Sequence, residues 1–442
     1  MTRMTTAMDS RGTASPHANL HSHPGTPLDR PVRIAVVGAG ARGAAYAGLA
    51  AQWPEKAEIA AVADARPTVR ARFAARHSIP ADRVFTDWRE LAAHGRLADA
   101  VIVATLDADH LAPARTFAEQ GYDILLEKPI APTEAESTAI GEVAARTGAV
   151  IAVCHVMRYT RYTEQLRALL PQIGDIVSVE HLEPVGAYHF AHSFVRGNWR
   201  RTDETAFSLL TKSCHDIDWL GHVIGRRVLR TSSFGGLAHF RPENRPAEAT
   251  DRCLDCPLQN LCPYSATTLY RDGLREGGTK QYFTRVMTAG DLTEEAVTRA
   301  LAEGPYGRCV YACDNDVADH QVVSLEYEGG VTASFTMTAF TPLENRHTKF
   351  FGTRGQLTGD GRHLHLYDFR TERTTTVDTS LDGSSAAEGH AGGDENLIRC
   401  FVDALHQGRP ELIRSRVEDS VEGHRVVFAA ERARLTGTVV TL

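Results

Sequence analysis

The sequence predicts an α/β protein with two domains: a doubly wound parallel sheet, followed by an α/β domain whose open sheet is largely antiparallel. Between residues 31 and 155, short apolar runs alternate with helical segments, as in βαβ units. Over residues 156–442, alternating strands follow one another with few helices between them. The length of 442 residues is sufficient for two domains, each with its own core.

The strongest motif follows the first predicted strand. Residues 32–37 form an apolar, mostly β-branched run. Three glycines in the spacing G-x-G-x-x-G come next: Gly38, Gly40 and Gly43. In this pattern the glycines permit a tight turn, close approach to a pyrophosphate and close packing of the next helix. The first residues of that helix, Ala41 and Arg42, would present backbone N–H groups to the pyrophosphate. The pattern predicts a dinucleotide-binding Rossmann domain.

The end of the second predicted strand indicates which dinucleotide binds. Asp64 ends the run, with Ala65 beside it, and its carboxylate is expected to hold a ribose diol. This favours NAD, because a carboxylate repels a 2′-phosphate. Arg66 could accept that phosphate, so NADP is the alternative.

Polar side chains also follow the later predicted strands, at residues 100–104, 123–126 and 150–153. Ligands of doubly wound sheets bind at these carboxyl ends. The polar residues there include Thr105, His110, Glu127, Lys128, His155, Arg158 and Tyr159. A lysine at such a position can donate to a substrate oxygen. Pro129 would fix the backbone after that lysine, with a cis bond expected.

Together these residues resemble the Gfo/Idh/MocA oxidoreductases, which act mostly on sugars and cyclitols. The resemblance covers residues 30–440 and rests on the glycines, Asp64, Thr105…His110, Glu127-Lys128-Pro129 and His215-Asp-Ile-Asp218. It implies that Lys128 touches the reacting hydroxyl and that Glu127 lies near the nicotinamide ribose. It places Thr105 and His110 on the cofactor side, and it implies a homodimer or homotetramer through the open sheet.

One departure from the family pattern concerns the catalytic histidine. Many members carry Asp-x-x-x-His on a helix, whereas this chain has Thr211 four residues before His215. His215 could act as general base alone or with Lys212. Asp218 would lie on the same helix face and could orient the imidazole. Alternatively, the site does not perform ordinary alcohol oxidation.

The predicted function is hydride transfer between NAD and a secondary hydroxyl of a sugar, glycoside or cyclitol. The substrate candidates are Arg158, Tyr159, His189, Asn198, Trp199 and Asp218. One alternative is a redox-neutral NAD-dependent glycosidase, since Gly392-Gly-Asp394 after His390 resembles a segment of such enzymes. Another is a non-catalytic NAD- and sugar-binding sensor.

A cysteine-rich insertion is predicted at about 240–320, with little core of its own. Its cysteines are Cys253, Cys256, Cys262, Cys309 and Cys313. C-x-x-C with distant further cysteines is typical of a structural zinc ion, and an iron–sulfur cluster is the alternative. Cys309 is the preferred fourth ligand and Cys313 its alternative.

Composition excludes other classes of function. The net charge of −7 gives no electrostatic reason to expect nucleic acid, and no apolar run has the ~20 residues of a membrane span. Residues 1–30 lack an apolar signal region and are expected to be a disordered extension. A cytoplasmic location is expected.

Overall fold

The computed structural model describes residues 26–380 and 392–442. Most of the predicted N-terminal extension, and His390, lie outside these residues. The described chain contains a six-stranded and a nine-stranded sheet. The fold class predicted from the sequence is confirmed.

The six-stranded sheet is parallel, with the strand order β3-β2-β1-β4-β5-β6 of a Rossmann domain. Its strands are β1 (Val32–Val37), β2 (Ala57–Ala63), β3 (Val84–Phe85), β4 (Ala100–Val103), β5 (Asp123–Leu126) and β6 (Ile151–Val153). The helices between them are α1 (Ala41–Ala50), α2 (Pro67–Arg76), α3 (Trp88–Ala93), α4 (Leu111–Glu119) and α5 (Glu134–Thr147).

The nine-stranded sheet has the order β14-β13-β12-β11-β7-β10-β9-β8-β15. Its strands are β7 (Ile176–Pro184), β8 (Val228–Gly236), β9 (His320–Tyr327), β10 (Thr332–Thr338), β11 (His347–Gly352), β12 (Gly355–Gly359), β13 (His363–Asp368), β14 (Arg373–Asp378) and β15 (Val440–Thr441). Within the described chain, β7 and β10 form a parallel pair and the remaining pairs are antiparallel. The sheet is therefore mixed but largely antiparallel, as predicted.

Helices cover one face of the second sheet. They include α6 (Arg161–Leu169), α7 (Ala187–Phe190), α8 (Ser208–Thr211) and α9 (Cys214–Ile224). Side chains on the strands alternate between buried and exposed, and Phe335 and Phe350 share a core with Trp219 of α9. Alternation of this kind fits a sheet with one face packed on a core.

The insertion is helical and has a small core of its own. It contains α10 (Ala266–Glu276), α11 (Gly278–Met287) and α12 (Glu294–Glu303). Apolar side chains that recur at helical spacing, including Leu269, Phe283 and Val297, pack together between these helices.

The last two helices join the domains. In α13 (Gly393–Gln407), Leu397 and Phe401 pack against the parallel sheet. In α14 (Val417–Thr436), Val421 packs on the other side of that sheet, whereas Phe428 belongs to the core of the second domain. Helix α14 thus contributes to the core of both domains. No helix among the described residues has both the length and the apolar character of a membrane span.

The buried histidine on α14 predicts acid sensitivity. Burial lowers the pKa of His424 to about 4, so this side chain is neutral in the folded protein. An unfolded histidine takes up a proton near pH 6.5. The stability from His424 is therefore complete above about pH 6.5 and is lost as the pH falls towards 4, by roughly 3 kcal/mol. Denaturant unfolding from pH 7 to pH 4 would measure this loss.

His424→Gln should reduce the slope of stability against pH, whereas the matched variant of the exposed His347, His347→Gln, should not. Some acid sensitivity should remain, because burial lowers the pKa of His155 to about 3. Equal slopes in all three proteins would contradict the assignment.

Candidate active site

The glycine turn has a backbone that side chains would block. Gly38 has φ +89°, and a Cβ there would lie 2.4 Å from the Ala104 carbonyl oxygen. A Cβ on Gly43 would lie 2.0 Å from the Gly38 carbonyl oxygen. Helix α1 begins directly after Gly40, with no side-chain cap and no acidic residue in its first turn. Its free N–H groups fit a pyrophosphate.

Asp64 lies beside this turn at the end of β2 and is 6% exposed. It accepts hydrogen bonds from the backbone N–H of Ala39 at 2.8 Å and of Arg66 at 2.9 Å. The Arg66 guanidinium also binds both carboxylate oxygens, at 3.0 and 2.7 Å. Burial raises the pKa of Asp64, but the hydrogen bonds from Arg66 outweigh it and the pKa is lowered. The carboxylate is therefore charged. The neighbouring Ala65, also predicted on the cofactor side, is exposed.

Four consecutive residues after β5 are each held by a different part of the protein. Glu127 accepts from the Arg42 Nε at 2.7 Å and the Tyr46 hydroxyl at 2.8 Å. Lys128 donates from Nζ to the Thr211 carbonyl oxygen at 2.8 Å. The Lys128–Pro129 bond is cis, as predicted from the sequence. The contacts of Pro129 and of Ile130, the residue after it, involve histidines.

His110 is 0% exposed, and its Nδ1 lies 2.9 Å from the Pro129 carbonyl oxygen. The backbone N–H of Ile130 donates to His424 Nε2 at 3.0 Å. His110 thus supports the backbone after β5, and we revise its expected role as a cofactor contact. Thr105, its partner in the motif, is half-buried and donates to the Asp109 carbonyl oxygen at 3.1 Å.

The Arg42 side chain also has a structural role. It joins Glu127 to Asp394 of α13 and stacks on the Tyr46 ring. Its backbone N–H remains available for a pyrophosphate. Burial raises the pKa of Glu127, but the charge of Arg42 outweighs it, so the pKa is lowered and the carboxylate is ionised.

His215 lies on α9 in a buried histidine cluster. It is 5% exposed, and its ring centroid is 5.6 Å from that of His155. Both oxygens of the Asp218 carboxylate bind Arg158, at 2.8 and 2.6 Å, and one of them also lies 3.5 Å from His155 Nε2. Asp218 lies one helical turn after His215, and its expected role in orienting the His215 imidazole stays a prediction.

A cavity of about 650 Å³ with several charged residues in its lining lies between helices α6 to α9 and the second sheet. Three of its residues form a chain of charges. Glu183 lies 2.8 Å from Lys212 Nζ and 2.8 Å from Arg346 Nη2. Lys212 follows Thr211, whose carbonyl oxygen accepts from Lys128, whereas Lys128 and His215 do not themselves line the cavity.

His189 also lines this cavity. Burial lowers its pKa well below the usual value, and the charges of Lys212 and Lys128 lower it further. The imidazole is therefore neutral. It can accept a hydrogen bond from a hydroxyl group.

Other predicted substrate residues do not line the cavity. Arg158 is buried against Asp218, and the Tyr159 hydroxyl lies 2.9 Å from Ser415 Oγ in the core. Asn198 is exposed, and Trp199 donates from Nε1 to Asp107 Oδ2 at 3.2 Å. We revise the roles of Arg158 and Tyr159 to structural ones, and Asp218, which binds Arg158, does not line the cavity either.

Arg346 was missed by the sequence analysis. It precedes β11, where no motif marks it, and it reaches the cavity only because β11 pairs with β7. It also binds Asp216, whose carboxylate lies 3.0 Å from His181 Nε2. Burial raises the pKa of Asp216, but the Arg346 charge outweighs it and lowers that pKa. Arg346 therefore binds two carboxylates, and one of them, Glu183, also binds Lys212. This network of charges fixes one wall of the cavity.

Neither the expected zinc ion nor its iron–sulfur alternative is shown by the structure. Among the described residues, no group of three or more His, Cys, Asp or Glu side chains is arranged to hold one metal ion. Cys253, Cys256, Cys262 and Cys309 nevertheless line one cavity in the insertion. Cys313 lies apart from it and donates to the Cys309 carbonyl oxygen at 3.2 Å.

Comparison with known families identifies both domains. Residues 32–155 match the oxidoreductase family with an NAD-binding Rossmann fold, and residues 168–442 match the C-terminal α/β domain of the same family. The chain belongs to the Gfo/Idh/MocA family. It is therefore an NAD-binding oxidoreductase of this family.

Two curated relatives are similar to this Gfo/Idh/MocA chain. The putative oxidoreductase YteT of Bacillus subtilis is 22% identical over 328 residues, which are 68% of this chain and 71% of YteT. Inositol 2-dehydrogenase 2 of Paenarthrobacter aurescens is 29% identical over 239 residues, 52% of this chain and 68% of that enzyme.

A solved structure shares the fold. It is an inositol dehydrogenase homologue from Azotobacter vinelandii, complexed with NADH and myo-inositol. It has a TM-score of 0.65 and 18% identity, and the match covers 94% of this chain and 98% of that one.

The crowded glycine turn predicts a sharp difference between two substitutions on α1. Gly43→Ala should weaken NAD binding at least tenfold and lower the melting temperature, because its Cβ meets backbone at 2.0 Å. Gly48→Ala should do neither, since its Cβ meets only the end of the Arg76 side chain, at 3.3 Å. Titration with NADH and thermal melting would measure both effects. Normal NADH affinity in Gly43→Ala would contradict this account of the turn.

Proposed function

We propose that this protein is an NAD-dependent dehydrogenase that oxidises a secondary hydroxyl of a cyclitol or sugar. The observation that carries the proposal is the position of Lys128. Its ammonium group lies at the carboxyl end of β5 and donates to Thr211, the residue before Lys212, whose side chain lines the cavity. The names of the Paenarthrobacter relative and the Azotobacter structure favour inositols as the first substrates to test.

The cofactor side follows from the glycine turn and Asp64. Backbone N–H groups from Gly40 to Gly43 would bind the pyrophosphate, and Asp64 would accept from the adenosine ribose hydroxyls. When bound, NAD supplies the hydride acceptor for oxidation of the carbinol carbon. The Arg66–Asp64 pair supports NAD over NADP, because Arg66 is already neutralised by the carboxylate.

Proton transfer would be shared by Lys128 and His215. Lys128 would hold the reacting hydroxyl through its ammonium group, which stabilises developing negative charge on the oxygen. His215, on the helix after Thr211, would accept the proton. Lys212, engaged by Glu183, is better suited to binding substrate than to acting as a base.

The cavity chemistry suits a polyol. Glu183 can accept hydrogen bonds, Lys212 and Arg346 can donate them, and neutral His189 can do either. A ring with several hydroxyl groups offers partners for all four. The cavity of about 650 Å³ is within the range of ~300–1,000 Å³ for small-molecule sites.

A redox-neutral reaction is the second candidate. Thr211 brings no carboxylate to the base position, and its carbonyl oxygen is occupied by Lys128. A third relative, the 2,7-anhydro-N-acetylneuraminate hydratase of Escherichia coli, is 27% identical over 150 residues, 33% of this chain and 39% of that protein. Glycosides cleaved without accumulation of NADH would favour this candidate.

The homodimer or homotetramer and the cytoplasmic location remain predictions.

Lys128→Ala should lower kcat by about 10²–10⁴-fold, because it removes the group that holds the reacting hydroxyl. The affinity for NAD should change far less. The assay is NADH absorbance with a panel of inositols, sugars and glycosides. Lys349→Ala, which removes an exposed lysine on β11, is the matched control and should retain full activity. An unchanged kcat in Lys128→Ala would overturn the proposed mechanism.

Asp64→Asn should change the cofactor preference. It removes the charge that repels a 2′-phosphate and releases Arg66 to bind one. The ratio of kcat/KM for NAD to that for NADP should fall by about 10–100-fold, as for loss of one hydrogen bond to a charged group. Arg66→Ala should leave the preference for NAD intact. A ratio unaffected by Asp64→Asn would show that this carboxylate does not select the cofactor.

A further inference from the structure

The cysteine-lined cavity in the insertion has no part in the proposed function. Its volume is about 180 Å³, and four thiols line it: Cys253, Cys256, Cys262 and Cys309. Three of the four are buried, with exposures of 7–8%, and Cys262 is half-buried. These four residues are called the thiol cavity below.

Three chain segments meet at the thiol cavity. A short 3₁₀ turn spans Cys253–Asp255 and leads to Cys256. Cys262 donates from its backbone N–H to the Leu258 carbonyl oxygen at 2.8 Å. The third segment is hydrogen-bonded to the first, because the backbone N–H of Cys309 donates to the Asp251 carbonyl oxygen at 2.8 Å. The four thiols are therefore brought together by backbone structure.

A buried cation also lines the thiol cavity. Arg196 is 1% exposed and donates to the carbonyl oxygens of Arg308 at 2.7 Å and Tyr264 at 2.8 Å. Its Nη2 lies 3.8 Å from Cys253 Sγ, and its Nη1 is buried with no hydrogen-bond partner. Among the described residues, no carboxylate pairs with it within 4.0 Å. Since a buried charge is costly unless it is paired, the cavity is built for an anionic group.

Thiolates bound to a metal centre supply that negative charge. A single zinc ion would need all four sulfurs about 2.3 Å from one point. The described side chains show no such arrangement, and the cavity has about six times the ~30 Å³ that a water molecule takes up in the liquid. An iron–sulfur cluster fills such a space, because its cysteines bind different iron atoms and stand farther apart.

We propose that the thiol cavity binds a four-iron, four-sulfide cluster through its four cysteines, with Arg196 compensating its negative charge. Because the chain supplies all four ligands, the cluster has a structural role and no open iron position. This proposal is independent of the oxidoreductase chemistry.

The cluster would support one wall of the substrate cavity. Arg196 ends a π-helical segment, Ala191–Arg196, that continues directly from the short helix carrying His189. In the same segment, the His192 ring stacks on Tyr306 of the insertion at 4.6 Å. Fixing Arg196 therefore fixes the backbone that presents His189.

The test is the metal and sulfide content of the full chain, expressed and purified without oxygen. We expect about four iron and four acid-labile sulfide per chain, with the broad visible absorption of an iron–sulfur cluster. One zinc per chain without sulfide would overturn the proposal in favour of a mononuclear site. No metal, even after anaerobic incubation with iron and sulfide, would overturn the site itself.

Variants distinguish ligands from bystanders. Cys256→Ser should lose most of the iron and sulfide, whereas Cys313→Ser should keep both, although it lies four residues from Cys309. Full cluster content in Cys256→Ser would contradict the ligand set. If that variant is insoluble, the iron and sulfide content of the wild-type protein still decides the question.

The charge role of Arg196 has its own test. Arg196→Gln should make the cluster's reduction potential more negative, and Arg196→Lys should largely retain the wild-type potential. An unchanged potential in Arg196→Gln would contradict the charge role.

Discussion

The site depends on the hydrogen bonds that hold the four residues after β5. Glu127 is bound by α1, Lys128 by the end of α8, Pro129 by His110 before α4, and Ile130 by His424 of α14. Two of these partners belong to the Rossmann domain and two to chain beyond residue 156. The backbone that presents Lys128 is therefore fixed by both domains at once, and the position of its ammonium group follows from how the domains pack.

The same constraint explains why the buried polar groups are so numerous around Lys128. Several of them satisfy a backbone or charged partner that burial would otherwise leave unpaired, as Arg158 does for Asp218. Beyond this supporting layer lies the cavity with Glu183, Lys212 and Arg346, where charged groups remain within reach of a ligand. Rigid support on one side and adaptable donors and acceptors on the other suit a reaction on one hydroxyl of a polyol.

The sequence predicted the features that depend on local pattern. Strand β5 has the predicted bounds, residues 123–126, and the glycine spacing located the turn, because steric crowding at Gly43 is set by a few neighbouring residues. Side-chain partners distant in sequence were not predictable. The pairing of Asp218 with Arg158, sixty residues away in the sequence, had no local signal. Arg346 reaches the site through strand pairing alone, and His110 matched the family element while its ring supports backbone.

The central claim is that Lys128 lies where a hydroxyl of the substrate reacts. The most direct test is a crystal structure of the protein with NAD and myo-inositol, or with the best substrate of the panel. We predict that Lys128 Nζ lies within hydrogen-bond distance of one hydroxyl, with Glu183 and Arg346 bound to others. A polyol bound elsewhere, with Lys128 still donating only to Thr211, would contradict the account.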